Sequence, residues 1–163
     1  MAKLNEADIR KFIVEFYAQA DKSAPLVWFL PYIDEKFHMF WTPTCQFDGP
    51  MGFEEFYRNL TASQFDRVHE VNDIAIKIDG DNADITFMIH LTARVWHPPL
   101  PKSLHAENYA GFHWTMKLSP VTGTLVIVEY GLTSVKFPEG SIIVEADKVF
   151  KYPSFMYGPW GFP

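Results

Sequence analysis

The segment NEADIRKFIVEFYAQA places a phenol where it could take part in chemistry. Ile9, Phe12, Ile13, Phe16 and Ala20 recur at the i, i+3, i+4, i+7 spacing of one helical face. Tyr17 lies on the edge of that face, which turns it inward. A buried phenol needs a hydrogen-bond partner. In a pocket it can donate to a developing oxyanion; against a sheet it is a packing residue, and the residues alone leave both readings open. His90 stands in mid-strand between Met88 and Thr92, where an imidazole could act as a general base near neutral pH. The alternative is a histidine in a polar network or on the solvent face. His69 opens another strand and faces the same choice. Glu129 interrupts an apolar strand. Alternation sets it with Ile127, opposite Val126, Val128, Tyr130 and Leu132, so it is expected in solvent or at an interface.

The other histidines carry less. Strand parity turns His38 away from Trp41, the face of His113 is undecided, and His97 and His105 flank a proline-rich linker as exposed loop residues. None of the 6 histidines falls in a His-x₃-His or H-E-x-x-H pattern, so no metal is expected. Cys45 is alone, which excludes an internal disulfide and a cysteine-based zinc site. The net charge of −6 and the lack of a Lys/Arg cluster argue against nucleic acid. No apolar run approaches a membrane span and the N-terminus lacks a signal-peptide pattern, so a soluble, cytoplasmic protein is expected. The sequon Asn59-Leu60-Thr61 is read as chance.

Positioning these groups requires a folded domain. A chain of 163 residues, 48% hydrophobic and 17% aromatic, can bury a sizeable core. Asn5 is a helix N-cap with Asp8 at the capping-box position. The segment SAPLVWFLPYIDEKF predicts a second, shorter helix, with Pro25 in its first turn and Pro31 ending or kinking it. FHMFW reads as a short strand, TPTCQFDGP as a loop, and GFEEFYRNL as a third helix. Long strands follow: HEVNDIAIKID, ADITFMIHLTARVW, HAENYAGFHWTMKLS and TLVIVEYGLTSVKF. Helices first and antiparallel strands afterwards predict an α+β fold, with helices on one face of a curved sheet.

This order resembles the nuclear transport factor 2-like superfamily, which includes ketosteroid isomerases, SnoaL-like cyclases, scytalone dehydratase and small phenazine-biosynthesis proteins. The local matches are F-Y-A-Q-A-D in the first helix, Gly52 and Phe56 at the start of the third, and H-x-x-x-N-x-I-x-I-x-x-D-G-D from His69 to Asp81. The likeness spans roughly residues 6 to 136. It implies a cone-shaped sheet with a pocket at its open end and a homodimer. It sets Tyr17 at the oxyanion tyrosine of the isomerases and His69 at a cavity histidine of SnoaL-like members. It also turns the Met88–His90 face of its strand toward the cavity. The isomerase's two acids have no counterpart: FHMFW holds no carboxylate, nor does Asn108 to His113.

The resulting expectation is a domain over 1–136 with an aromatic C-terminal extension over 137–163. The protein is read as a cofactor-free isomerase, cyclase or dehydratase acting by proton transfer on a small, largely apolar or aromatic metabolite. The catalytic candidates are His90, His69 and Tyr17. The pocket is expected to be lined by Trp28, Phe37, Trp41, Phe56, Met88, Phe112, Trp114 and Tyr130. A non-catalytic binding protein and a module with a collapsed pocket are the alternatives. The apolar face of the strand over 83–96 needs a cover, for which the expectation is a homodimer through the sheet. The tail from Phe150 to Pro163, rich in aromatics, is expected to pack on the body or on the partner.

Overall fold

The computed structural model describes residues 2–96 and 101–151. Helix α1 (Glu6–Asp21) starts where the sequence places it: Asn5 Oδ1 accepts the Asp8 N–H at 2.8 Å. Its apolar stripe buries Ile9, Ile13, Phe16, Tyr17 and Ala20. The helix ends at a left-handed Ser23, φ 52°, two residues before Pro25.

The second helix is shorter than expected. It is one turn, α2 (Leu26–Phe29), followed by a 3₁₀ turn over Leu30–Tyr32, and the chain is already extended at Ile33. Pro31 removes an N–H, and the residues after it pair with the sheet instead of continuing the helix. Strand β1 (Ile33–Thr42) turns back into β2 (Cys45–Asp48), within a segment read as loop. Helix α3 (Gly49–Ser63) follows at once. Gly52 lets it approach β2, since a Cβ there would come within 3.0 Å of the Phe47 backbone.

Strands β3 (Gln64–Asp79), β4 (Asn82–Trp96), β5 (Ser103–Leu118) and β6 (Leu125–Lys136) complete a six-stranded sheet of order β2-β1-β6-β5-β4-β3. All neighbours are antiparallel except β1 and β6. The sheet does not close into a barrel, and the helices cover one face of it: a mixed α+β fold. No helix of the described residues is long and apolar enough to cross a membrane.

Bulges decide which side chains face in. Two extra residues in β3, Asp66 (φ 49°) and Asp73 (φ 56°), sit left-handed where the register with β4 shifts. The first turns Arg67 and His69 inward. Plain alternation from the buried Gln64 would have sent His69 out. In β6 the register shifts again around Val128 and Thr133. Ile127, Tyr130 and Leu132 therefore share the inner side, and Glu129 is exposed.

The faces of β4 are the reverse of the expectation. Ile85, Phe87 and Ile89 are buried under the helices, while Met88 is 37% exposed on the outside. The apolar face is thus covered within the chain, by the stripes of α1 and α3, and needs no second subunit. Residues 97–100, which include His97 and part of the proline linker, lie outside the described residues. So does the segment from Tyr152 to Pro163, so that of the tail read from Phe150 only Phe150 and Lys151 are described.

Candidate functional site

Between the helices and the inner face of the sheet is a cavity of about 530 Å³, within the usual range for small-molecule pockets. Rings dominate its wall: Phe16, Tyr17, Phe29, Trp41, Phe53, Phe56, Tyr57, Phe112, Tyr130 and Phe150. The polar side chains that reach it include His69, Gln64 and Asn108, with Thr42, Thr44, Glu145, Asp147 and Lys148 also on its lining.

Three of the polar side chains form one constellation. The hydroxyls of Tyr17 and Tyr130 are 2.9 Å apart and hydrogen-bonded. Burial, together with Tyr130 and Asp21, pushes the Tyr17 phenol well above its ordinary value, and burial raises Tyr130 too. Both are therefore neutral hydrogen-bonding groups at physiological pH. The Tyr17 ring lies against the His69 imidazole, with centroids 4.8 Å apart.

His69 is held by Asp21, the last residue of α1. The carboxylate contacts Nδ1 and also accepts the His69 backbone N–H at 3.0 Å. A carboxylate accepts, so Nδ1 carries the proton and Nε2 presents the lone pair of the neutral ring. His69 lines the cavity, and Nε2 has no hydrogen-bond partner among the described residues. A fixed base of this kind, next to a phenol pair, can take a proton from a bound molecule while a phenol stabilises the charge that develops.

Of the expected site residues, the fold brings Tyr17, His69, Trp41, Phe56, Phe112 and Tyr130 to the cavity. It does not bring the others. His90 is on the outer face, stacked on Tyr109 at 4.5 Å and bonded to Glu107 at 2.7 Å and to Glu70. Met88 shares that face. Trp114 is fully buried behind the phenols, 5.8 Å from the Tyr17 ring and 5.0 Å from the Tyr130 ring, and supports them without reaching the cavity. Phe37 is buried against Phe53, and Trp28 packs on Phe29 and Tyr32. His38 and His113 also face outward, bonded to Asp48 and Asp84, and His105 is an exposed strand residue rather than a loop residue.

Asp21 was missed. Its signal was its position four residues after Tyr17, which puts both on one helical face. The aromatic tail from Phe150 is expected to pack on the body or the partner near the open end of the cone; of the residues after β6, those described are 137–151. They return to close a side of the cavity. Ser141 Oγ accepts the Glu107 N–H, and Ile142 N–H donates to the His105 carbonyl. Thr42 and Thr44 donate their hydroxyls to Asp147, which begins a π-helical turn over Asp147–Lys151. Phe150 then packs on Trp41 at 4.6 Å and on Phe56 at 5.1 Å.

No family model matches the sequence, and no curated protein matches it. Solved structures do match. A candidate scytalone dehydratase from Novosphingobium aromaticivorans aligns with TM-score 0.69 at 13% identity, over 85% of this chain and 87% of its own. A hexachlorocyclohexane dehydrochlorinase aligns with TM-score 0.65 at 10% identity, over 85% and 95%. A nuclear transport factor 2-like superfamily protein from Salmonella enterica serovar Typhimurium aligns with TM-score 0.64 at 19% identity, over 85% and 92%. The chain has the nuclear transport factor 2-like fold.

Proposed function

We propose that this nuclear transport factor 2-like chain is an acid–base enzyme that needs no cofactor and eliminates water or a similar leaving group from a small, largely apolar, ring-bearing metabolite. The observation that carries the reading is His69, fixed by Asp21 through both its ring and its backbone, inside an aromatic cavity beside two hydrogen-bonded phenols. Isomerisation and cyclisation need the same parts. Elimination is favoured because the names of two structural neighbours, a dehydratase and a dehydrochlorinase, denote it.

In this mechanism His69 Nε2 removes a proton from the substrate carbon. The electrons of the broken C–H bond form the new double bond as the bond to the leaving hydroxyl breaks. Asp21 stabilises the imidazolium, and the free O–H of the Tyr17–Tyr130 pair donates to the oxygen that gains charge. The imidazolium then returns its proton to the hydroxide, which leaves as water. The aromatic wall excludes bulk water and orients the ring. Association into a homodimer belongs to the same reading, through the outer sheet face where Met88 and Tyr109 stay exposed; light scattering tests it.

The test is a panel of hydroxylated ring ketones in D₂O, followed by NMR for loss of the C–H signal and release of water. The wild type should turn over at least one member, and His69→Ala should lose about 10²-fold or more. Tyr17→Phe should lose a smaller factor, since Tyr130 still holds a donor. If panel members bind but the wild type neither exchanges nor converts any of them, the protein is a binder of such molecules; if His69→Ala reacts as fast as a reactive wild type, His69 is not the base.

A further inference from the structure

Asp21 occupies an electrostatically poor position. It is the last residue of α1, where the aligned peptide dipoles leave partial negative charge. No basic residue lies in the last turn of that helix, and Lys22 beyond it is exposed. A carboxylate held there against a histidine gains from positive charge nearby.

Arg67, on β3 two residues before His69, brings a positive charge to the same end of the helix. It is only 3% exposed, turned inward by the Asp66 bulge. One guanidinium nitrogen, Nη2, donates to the Ala20 carbonyl and to Ser23 Oγ, the residues on either side of the Asp21–Lys22 step. The other, Nη1, donates to the Gln64 carbonyl at 2.7 Å, and Nε has no partner. All three acceptors are neutral. A buried charge that makes only neutral contacts is costly unless a countercharge is near. Burial pushes the guanidinium below its ordinary value, while Tyr57 and Asp21 act in the opposite direction. His69 from β3 is thus in contact with Asp21, while Arg67 from β3 and Tyr17 from its own helix couple to its charge without an ion pair or hydrogen bond to it.

We propose that Arg67 is a positioning residue of the site: its guanidinium clamps the end of α1 to the start of β3 and supplies the charge that keeps Asp21 the acceptor of the His69 Nδ1 proton. This rests on the reading of Asp21 and His69 given above. Arg67 acts through Asp21 and is not part of the cavity wall. Its removal would release the carboxylate, and the imidazole would lose the partner that fixes its tautomer.

The tautomer can be read without a substrate, from the ring ¹⁵N shifts of His69 in a long-range ¹H–¹⁵N spectrum at roughly pH 8.5, above the range in which a histidine is charged. The wild type should show the Nδ1–H form. Asp21→Asn should lose its dominance, which calibrates the reading. Arg67→Met keeps the apolar stem without the charge and should lose it too. Arg67→Lys keeps the charge without the fork and should retain the Nδ1–H form. A folded Arg67→Met with the wild-type tautomer overturns the proposal, as does a folded Arg67→Lys without it. If Arg67→Met does not fold, the lysine variant decides alone. A wild type lacking the Nδ1–H form would instead sink the Asp21–His69 pair itself, and the proposal with it.

Discussion

The hydroxyls of Tyr17 and Tyr130, 113 residues apart in the chain, share one hydrogen bond of 2.9 Å. Two phenols carry two protons, and the bond between them uses one. Whichever way the pair is oriented, one O–H is left to donate elsewhere. The fold thus stores a donor over the cavity while satisfying most of the polarity it buries.

The pair should behave as a unit in stability. Tyr17→Phe leaves the Tyr130 hydroxyl buried without its partner, and the reverse holds for Tyr130→Phe. Each single change should cost about 1–3 kcal/mol. The double variant should cost clearly less than the sum, because no hydroxyl is then stranded. Urea unfolding of the four proteins measures the coupling; strictly additive losses would show that the two phenols do not depend on each other.

His90 should matter for pH and not for turnover. The hydrogen bond to Glu107 raises its value above the ordinary 6.5; desolvation opposes this, and Glu70 adds to the rise. A raised histidine stabilises the fold fully below its unfolded value, and the contribution fades as pH rises through the folded one. Glu107 is held below its ordinary 4.5 by His90 and then His105, so its share is lost as pH falls through that lowered value. The pair therefore contributes most between those limits. In a pH series of melting temperatures, His90→Ala should flatten the decline above pH 6.5 while activity persists. An unchanged slope would show that another group sets it.

Closure of the cavity should depend on Asp147. Asp147→Ala removes the acceptor of two threonine hydroxyls, and Phe150→Ala removes the ring that packs on Trp41 and Phe56. Phe→Ala in a packed site costs about 3–5 kcal/mol, and here the segment can detach instead of the whole domain unfolding. Limited proteolysis should therefore cut the chain after Lys136 faster in both variants, with the sheet still folded. Equal cleavage rates in all three proteins would mean that these contacts do not hold the segment.

Much of the scaffold was legible because its signals are local. The stripe and cap of α1, and the strands from β3 to β6, follow from spacing and propensity, and so does the inward turn of Tyr17. The second helix failed because Pro31 and pairing with β6 override the apolar pattern around Trp28. The cavity face of β4 was inverted because both of its faces carry residues that could line a pocket. Only packing against the stripes of α1 and α3 distinguishes Ile89 from His90. Phe37 and Trp114 were placed in the pocket by size and hydrophobicity, which do not separate a wall from the core behind it. Asp21 went unnoticed because its role exists only once β3 brings His69 beneath the end of α1.

One left-handed aspartate carries more of the site than its own chemistry suggests. Asp66 touches neither the cavity nor the phenols, yet it sets the phase of everything after it in β3. Arg67 and His69 face inward because one additional residue has been counted into the strand. That information is held in the number of residues and not in the kind. A comparison made letter by letter is blind to it, and two chains could share this site while sharing no residue at the position that orients it.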